Sequence, residues 1–209
     1  MLSIQAHEIA LRTIDTEISR LEEIIGYDFA EKLLGAEALQ MRAPRTLLYI
    51  GGTGYYVNHN ERLEQIGDRV LDAVLAKAWY EARDEHGMTN HDILLEPMLT
   101  RTGNPRSLAE YSRMQLELVT NKGLAKRGYL FGLDKCVIKG WGTLSVGTEQ
   151  MANAFEAIIG AVYIDAGEQG LAVVRTMLEH LGFFEHPMLS VKSFGPHPPS
   201  SIWKHTVVN

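Results

Sequence analysis

Apolar residues recur at three- and four-residue steps along most of the chain, the spacing that lines one face of an α-helix. Ile4, Ile9, Ala10, Ile14, Ile18, Leu21 and Ile25 predict a helix over 4–25, which Gly26 ends. Phe29, Leu33, Leu34, Ala38 and Leu39 predict a second over 29–41. A long helix follows from about Glu61 to Arg83, with its apolar stripe on Leu63, Ile66, Val70, Leu71, Val74, Leu75 and Ala78. Further helices are predicted over 106–127 and 149–164, after a turn at Gly103-Asn104-Pro105. The last runs over 168–182, where Gly182 stands as a helix-ending glycine. From His186 onward four prolines and scattered polar residues show no period. No repeat is visible. The pattern predicts one mostly helical domain with a proline-containing tail at 185–209.

Composition supports a packed core, since 45% of the 209 residues are hydrophobic. The net charge of -6 speaks against a generic nucleic-acid coat, which neutralises phosphate with surplus Lys and Arg. A single cysteine, Cys136, excludes an intramolecular disulfide and a cysteine-rich zinc site. Beside Val137 and Ile138 it reads as a small buried side chain. No apolar run approaches the ~18–20 residues of a membrane helix. Glu8, Asp15 and Glu17 do not suit a secretory or mitochondrial leader. The expectation is a protein inside the cell, in cytoplasm or nucleus, with no membrane partner.

Residues 43–59 lack a helical period. Leu47 to Ile50 read as a short strand, and Gly51-Gly52-Thr53-Gly54 invites a phosphate-loop reading. The Lys-Ser/Thr pair of such a loop is missing, and Tyr55-Tyr56-Val57-Asn58 starts a helix poorly. A flexible connection is the expectation here. His59 reads as loop polarity, and Trp79 and Trp141 read as packing residues.

The informative chemistry lies in carboxylates. Glu61, Glu64 and Asp68 stand at i, i+3 and i+7 on one face of the long helix, opposite its apolar stripe. Like charges at that spacing repel, and a divalent cation is one compensation. Magnesium takes oxygen ligands and keeps several waters, so a few carboxylates suffice. Gly67 costs ~1 kcal/mol inside a helix, so another backbone is expected to pack against it. The 149–164 segment is apolar almost all round and therefore buried, yet it carries Glu149, Asn153 and Glu156. Packed together, the two helices would gather Glu64, Asp68, Asn153 and Glu156 around one ion.

These segments resemble a known family. Asn60-Glu61-Arg62-Leu63-Glu64-Gln65-Ile66-Gly67-Asp68 resembles the ribonuclease III signature Asn-Glu-Arg-Leu-Glu-Phe-Leu-Gly-Asp, matching at seven of nine positions. Met151 to Tyr163 resembles the second motif, continued by Asp165-Ala166-Gly167, and Asn121-Lys122-Gly123-Leu124-Ala125 resembles the family's Asn-Lys-x-Leu-Ala. The likeness covers about residues 20–182 and implies a ribonuclease III domain over 20–184, after a helical extension at 1–19. It implies an all-α ribonuclease III endonuclease domain acting as a homodimer on double-stranded RNA, with Glu61, Leu63 and Ile66 at the dimer interface. It implies Mg2+, with Mn2+ as alternative, on Glu64, Asp68, Asn153 and Glu156. Asp68 and Glu156 are the catalytic candidates, and the products are 5′-phosphate and 3′-hydroxyl ends.

One position departs from the pattern. The second motif usually carries Asp where this chain has Asn153. Asparagine offers a carbonyl oxygen but no charge. Two readings stay open: an active nuclease in which Glu149, one turn earlier, compensates, and a catalytically weak RNA-binding scaffold. The residues after Gly182 leave no room for a double-stranded-RNA-binding module within the sequence. RNA grip is therefore expected from the nuclease domain, the dimer or a separate RNA-binding partner. Residues 101–141 hold eight basic side chains against three acidic ones, and Lys122, Lys126 and Arg127 are the candidates for phosphate contact.

Overall fold

A computed structural model gives the fold and describes residues 13–41, 45–84, 108–139 and 144–189. Residues 4–12 of the expected 4–25 helix, the turn at Gly103, Arg101, Arg106, Trp141 and the chain beyond Leu189 lie outside the described residues. Within them the helix is shorter than expected, because Thr13 bridges to Tyr49 and Ile14 N donates to Tyr49 O at 3.1 Å, so it begins at Asp15. Besides three single-turn 3-10 helices, seven α-helices and one β-hairpin make up the described elements. They are α1 (Asp15–Ile25), α2 (Lys32–Leu39), β1 (Thr46–Ile50), β2 (Thr53–Val57), α3 (Glu61–Asp84), α4 (Leu108–Leu118), α5 (Asn121–Phe131), α6 (Thr148–Asp165) and α7 (Gly170–His180). The mostly helical expectation holds, and α3 and α6 begin and end within one residue of the predicted spans.

α6 is the axis of the domain. From Met151 to Val162 its side chains are buried except at Asn153 and Glu156, because α2, α3, α5 and α7 all pack against it. A helix with so little polar surface is stable only when surrounded. The α3–α6 crossing is tight because Gly67 and Gly160 meet there. A Cβ on Gly67 would overlap the carbonyl oxygen of Glu156 and lie 2.6 Å from its carbonyl carbon. A Cβ on Gly160 would overlap the carbonyl of Leu63. The backbone approach expected from Gly67 is therefore present, and its partner is the helix bearing Glu156.

The far end of α6 straps down the N-terminal helices. Asp165 accepts hydrogen bonds from Tyr27 Oη at 2.7 Å, Ala30 N at 2.8 Å and Glu31 N at 2.9 Å. Burial and the Asp165 carboxylate push the Tyr27 phenol well above its ordinary value. Glu22 closes the same loop, accepting from Phe29 N at 2.8 Å and Lys32 Nζ at 2.5 Å. Asp165→Ala leaves two main-chain amides and a phenol without this acceptor. The expected cost is ~2–4 kcal/mol in urea unfolding, and a cost near zero would show that water replaces the strap.

Besides the start of α1, two segments differ from the sequence expectation. Residues 46–57 form an antiparallel hairpin instead of a flexible connection, with Leu48 opposite Tyr55 and Thr46 opposite Val57. Gly51 and Gly52 both take positive φ, +56° and +79°, as a two-residue type I′ turn requires. Leu48 and Val57 anchor one face in the core. The helix predicted over 106–127 is two helices. Thr120 breaks it by capping α5, its Oγ1 accepting from Gly123 N at 3.2 Å.

After α7 the chain turns back over α5. Phe183 is fully buried, its ring centroid 5.8 Å from that of Phe155. His186 Nε2 lies 3.1 Å from Glu117 on α4, and Leu189 is buried. Cys136 is buried as expected, and its surroundings push the thiol up to about 11. Trp79 packs on Tyr111 with centroids 4.9 Å apart.

Candidate metal centre

α3 begins because Asn60 is fixed. Asn60 is buried; its N–H donates to Gln40 O at 2.9 Å and its Nδ2 to Ala38 O at 3.4 Å. Its own carbonyl accepts from Glu64 N at 2.9 Å. The helix thus starts against the end of α2, and Glu64 and Asp68 fall on the side turned toward α6. Glu64 is buried at 8% exposure. Asp68 is half-exposed and pairs with Arg69 at 3.2 Å, an open contact of little energetic weight.

Across the Gly67–Gly160 crossing stands Glu156. Its carboxyl is pushed up to about 7, first by burial and then by the negative fields of Asp68, Glu64 and Asp72. The fold has therefore brought Glu64, Asp68 and Glu156 into one electrostatic cluster. Asp72 joins it and is the member the sequence reading missed. It lies one turn past Asp68, so the same helical spacing, continued to i+11, contains it. Asp72 Oδ1 accepts from Gln115 Nε2 at 3.3 Å, and the same nitrogen donates to Tyr111 Oη at 3.2 Å. This ties α4 to the acidic face of α3.

Asn153 and Glu149 occupy the next two turns of α6 toward its start. With Met41, Asn60 and Gln150 they line a cavity of about 200 Å³. Glu149 and Asn153 thus face common space. As placed here, no three His, Cys, Asp or Glu side chains among the described residues converge closely enough to hold an ion. The donor chemistry nonetheless fits a hard divalent cation: three carboxylates and one carboxamide, all oxygen ligands, with one carboxyl driven toward protonation by its neighbours.

Two expected roles need correction. Leu63 is 4% exposed and belongs to the core, with its carbonyl against Gly160, so it offers no side chain to a dimer partner. Ile66 is half-buried at the core edge and Glu61 is exposed, 3.6 Å from His59. Arg127 is not a free cation. Its guanidinium lies 4.3 Å from the Phe183 ring centroid, and Nη1 donates to Leu181 O at 3.4 Å. Burial lowers its pKa, against the opposing field of Glu185. Arg127 fastens the turn after α7, a role set by residues more than fifty positions away and invisible in local sequence. Lys122 and Lys126 are exposed on α5.

A family model described as Ribonuclease-III-like matches residues 51–181, well over half of the chain. The chain belongs to the ribonuclease-III-like family. It is 30% identical over 179 residues to Ribonuclease 3 of Colwellia psychrerythraea, covering 84% of this chain and 54% of that protein. It is 31% identical over 189 residues to Ribonuclease 3 of Shewanella woodyi, covering 88% and 68%. The chain thus spans between about half and two thirds of these relatives. The nuclease domain of ribonuclease III from Campylobacter jejuni superposes with a TM-score of 0.58 at 22% identity, covering 81% of this chain and 96% of that one. A second structure of that domain, titled for flexibility in a region involved in dimer formation, gives 0.55 at 23% identity. This ribonuclease-III-like domain therefore has the expected fold, with the family's signature on α3 and its second motif on α6. No helix among the described residues is long and apolar enough to cross a membrane.

Proposed function

We propose that this ribonuclease-III-like domain is a magnesium-dependent endoribonuclease that cuts double-stranded RNA as a dimer, leaving 5′-phosphate and 3′-hydroxyl ends. The observation that carries the reading is Glu156, which stands across the Gly67–Gly160 crossing from the acidic face of α3 and whose carboxyl is pushed up to about 7 by burial and then by the fields of Asp68, Glu64 and Asp72. Carboxylates crowded this way exchange a proton for a divalent cation. Glu64, Asp68, Asn153 and Glu156 would hold the ion, with manganese as the alternative. Bound there, it supplies an activated water at neutral pH and neutralises charge on the phosphate.

The protein's own part is positioning. Gly67 and Gly160 set the distance between the two acidic faces, and Asn60 fixes where α3 begins. Lys122 and Lys126 would meet RNA phosphates. Because α5 starts at Asn121, Lys122 lies in its first turn, where a cation opposes the helix dipole. A local stabilising role is therefore absent, which favours a ligand. Glu61 and Ile66 remain the interface candidates on α3.

Cleavage of long duplex RNA by the purified protein, with magnesium and with EDTA, tests the reading. Cutting that survives chelation, or no cutting in either buffer, would sink it. Asn153 favours one second reading, an RNA-binding scaffold of weak chemistry, because it removes a charge from the ligand set. Asn153→Asp is expected to improve magnesium affinity or rate by ~10–100-fold. Glu149→Gln should weaken the natural protein and have little effect once Asp is present at 153. An unchanged rate for Glu149→Gln in the natural background would show that Glu149 does not compensate.

A further inference from the structure

We propose that the 46–57 hairpin is a contact for the minor groove of duplex RNA, placed beside the cutting site. The inference rests on the nuclease reading above and assigns a recognition element to it.

The two faces of the hairpin differ. Leu48 and Val57 bury one side, while Leu47, Tyr49, Gly54 and Tyr56 share the other, as the pairing of Leu47 with Tyr56 and Tyr49 with Gly54 dictates. Leu47 and Tyr49 close over Gly54, where an added Cβ would stand 3.3 Å from each. Tyr56 projects from that face, 64% exposed, whereas Tyr55, paired with Leu48, belongs to the other side. From Arg45 to Asn60 the sequence holds no carboxylate, in a chain of net charge -6. Arg45 lies over Tyr56, its guanidinium 5.9 Å from the ring centroid. β2 then runs through Asn58, His59 and Asn60 directly into the helix of Glu64 and Asp68.

Two observations speak against a second copy as the occupant. Each strand has five residues, so the face measures about 17 by 10 Å, or about 170 Å². That is far below the ~800 Å² per partner that a stable dimer needs. Strand addition along β2 is also opposed, because Arg45 Nη2 donates to the outward carbonyl of Tyr56 at 3.3 Å. A small platform with phenol groups and no carboxylate of its own, where Asp15 at the turn is already engaged by Gly51 N at 2.8 Å, suits a wide, shallow groove that displays 2′-hydroxyls. Because β2 leads into the start of α3, a duplex lying along α3 and α6 would meet the hairpin, and this contact would add to those proposed for Lys122 and Lys126.

Binding by fluorescence anisotropy tests this, in chelator to prevent cutting, with a labelled RNA duplex of about 20 base pairs and a DNA duplex of the same sequence. Tyr56→Phe, which keeps the ring and removes the hydroxyl, is expected to weaken RNA binding ~3–10-fold and leave DNA binding unchanged. Tyr56→Ala should weaken RNA binding further. The salt slope should be unchanged in both, whereas Lys122→Ala lowers it by about one. Circular dichroism checks that each variant folds. Tyr56 variants within about two-fold of the natural protein, while Lys122→Ala binds more weakly, would overturn the hairpin contact and leave the nuclease reading intact. Equal loss on RNA and DNA, or a change in sedimentation without loss of RNA binding, would also overturn it. Failure of the natural protein to bind the RNA duplex would remove both readings together.

Discussion

Glu156→Gln is expected to abolish most cleavage and, without divalent ions, to make the protein more stable at pH 8. The folded pKa of Glu156, about 7, lies above the ordinary value of 4.5. Between those values the folded protein holds a proton that the unfolded chain has released. Stability is therefore undiminished below about pH 4.5, falls as pH rises toward 7, and carries the full penalty above it. Glutamine has no charge to bury beside Asp68, Glu64 and Asp72. The gain at pH 8 should be ~1–2 kcal/mol, discounted because the carboxyl keeps some contact with water, and it should vanish below pH 4.5. Magnesium reverses the order near saturation: the natural protein gains ~2.7 kcal/mol at about a hundred times its dissociation constant, and the variant gains little. Loss of the carboxylate should reduce the cleavage rate by at least ~10²–10³-fold, the scale of removing one electrostatic stabiliser. Thermal melts across pH, with and without magnesium, read the stability half, and duplex-RNA cleavage reads the other. A variant destabilised at pH 8 in chelator would show that Glu156 is not crowded by its neighbours.

Gly67→Ala should have the largest effect on folding. The new methyl group would overlap the carbonyl oxygen of Glu156, and its carbon would lie 2.9 Å from Gly160 N. Backbone stands on the far side, so no side chain can swing away. The helices must separate, which loosens the core and moves Glu156 from Glu64 and Asp68. Overpacking costs typically ~1–3 kcal/mol where side chains yield, and more is expected here. A domain with ~5–15 kcal/mol in total has little reserve against that. Gly128→Ala is the control. Its methyl would press on Met151 Sδ and Cγ, the end of a flexible side chain, so a milder loss is expected. Urea unfolding followed by circular dichroism ranks the two. Gly67→Ala with a midpoint equal to that of Gly128→Ala would show that the crossing relaxes.

The core of the site was legible because two regularities coincided in α3. Its apolar stripe fixed the helix, and the carboxylates on the opposite face fixed which side meets the buried α6. Gly67 predicted the close approach, and Glu156 in an apolar helix required polar company. Other features depended on information outside their own segment. The hairpin was read as a loose connection, although two five-residue runs around Gly51-Gly52 are a hairpin signal. Only the burial of Leu48 and Val57 makes those runs hold their register. Thr120 divided a helix whose apolar period continued through it. Leu63 and Arg127 carried motif-like identities, but packing assigned them elsewhere, one by the crossing and the other by the returning Phe183. Asp72 escaped notice because it lies past the signature that drew attention to the helix.

The surroundings of α6 also limit how the domain moves. Neighbouring helices cover it on several sides, and Asp165 holds its last turn to the chain at Tyr27, Ala30 and Glu31. Releasing any single turn of it would expose apolar side chains in several directions at once, so partial opening has no low-energy route through this helix. Opening is expected first at the hairpin, where β2 is exposed from Thr53 to Tyr56, and in α6 only with the loss of the surrounding core. Asn153 and Glu156 are therefore expected to keep their spacing when the outer elements open, so that a ligand arriving at them meets a frame that is already ordered.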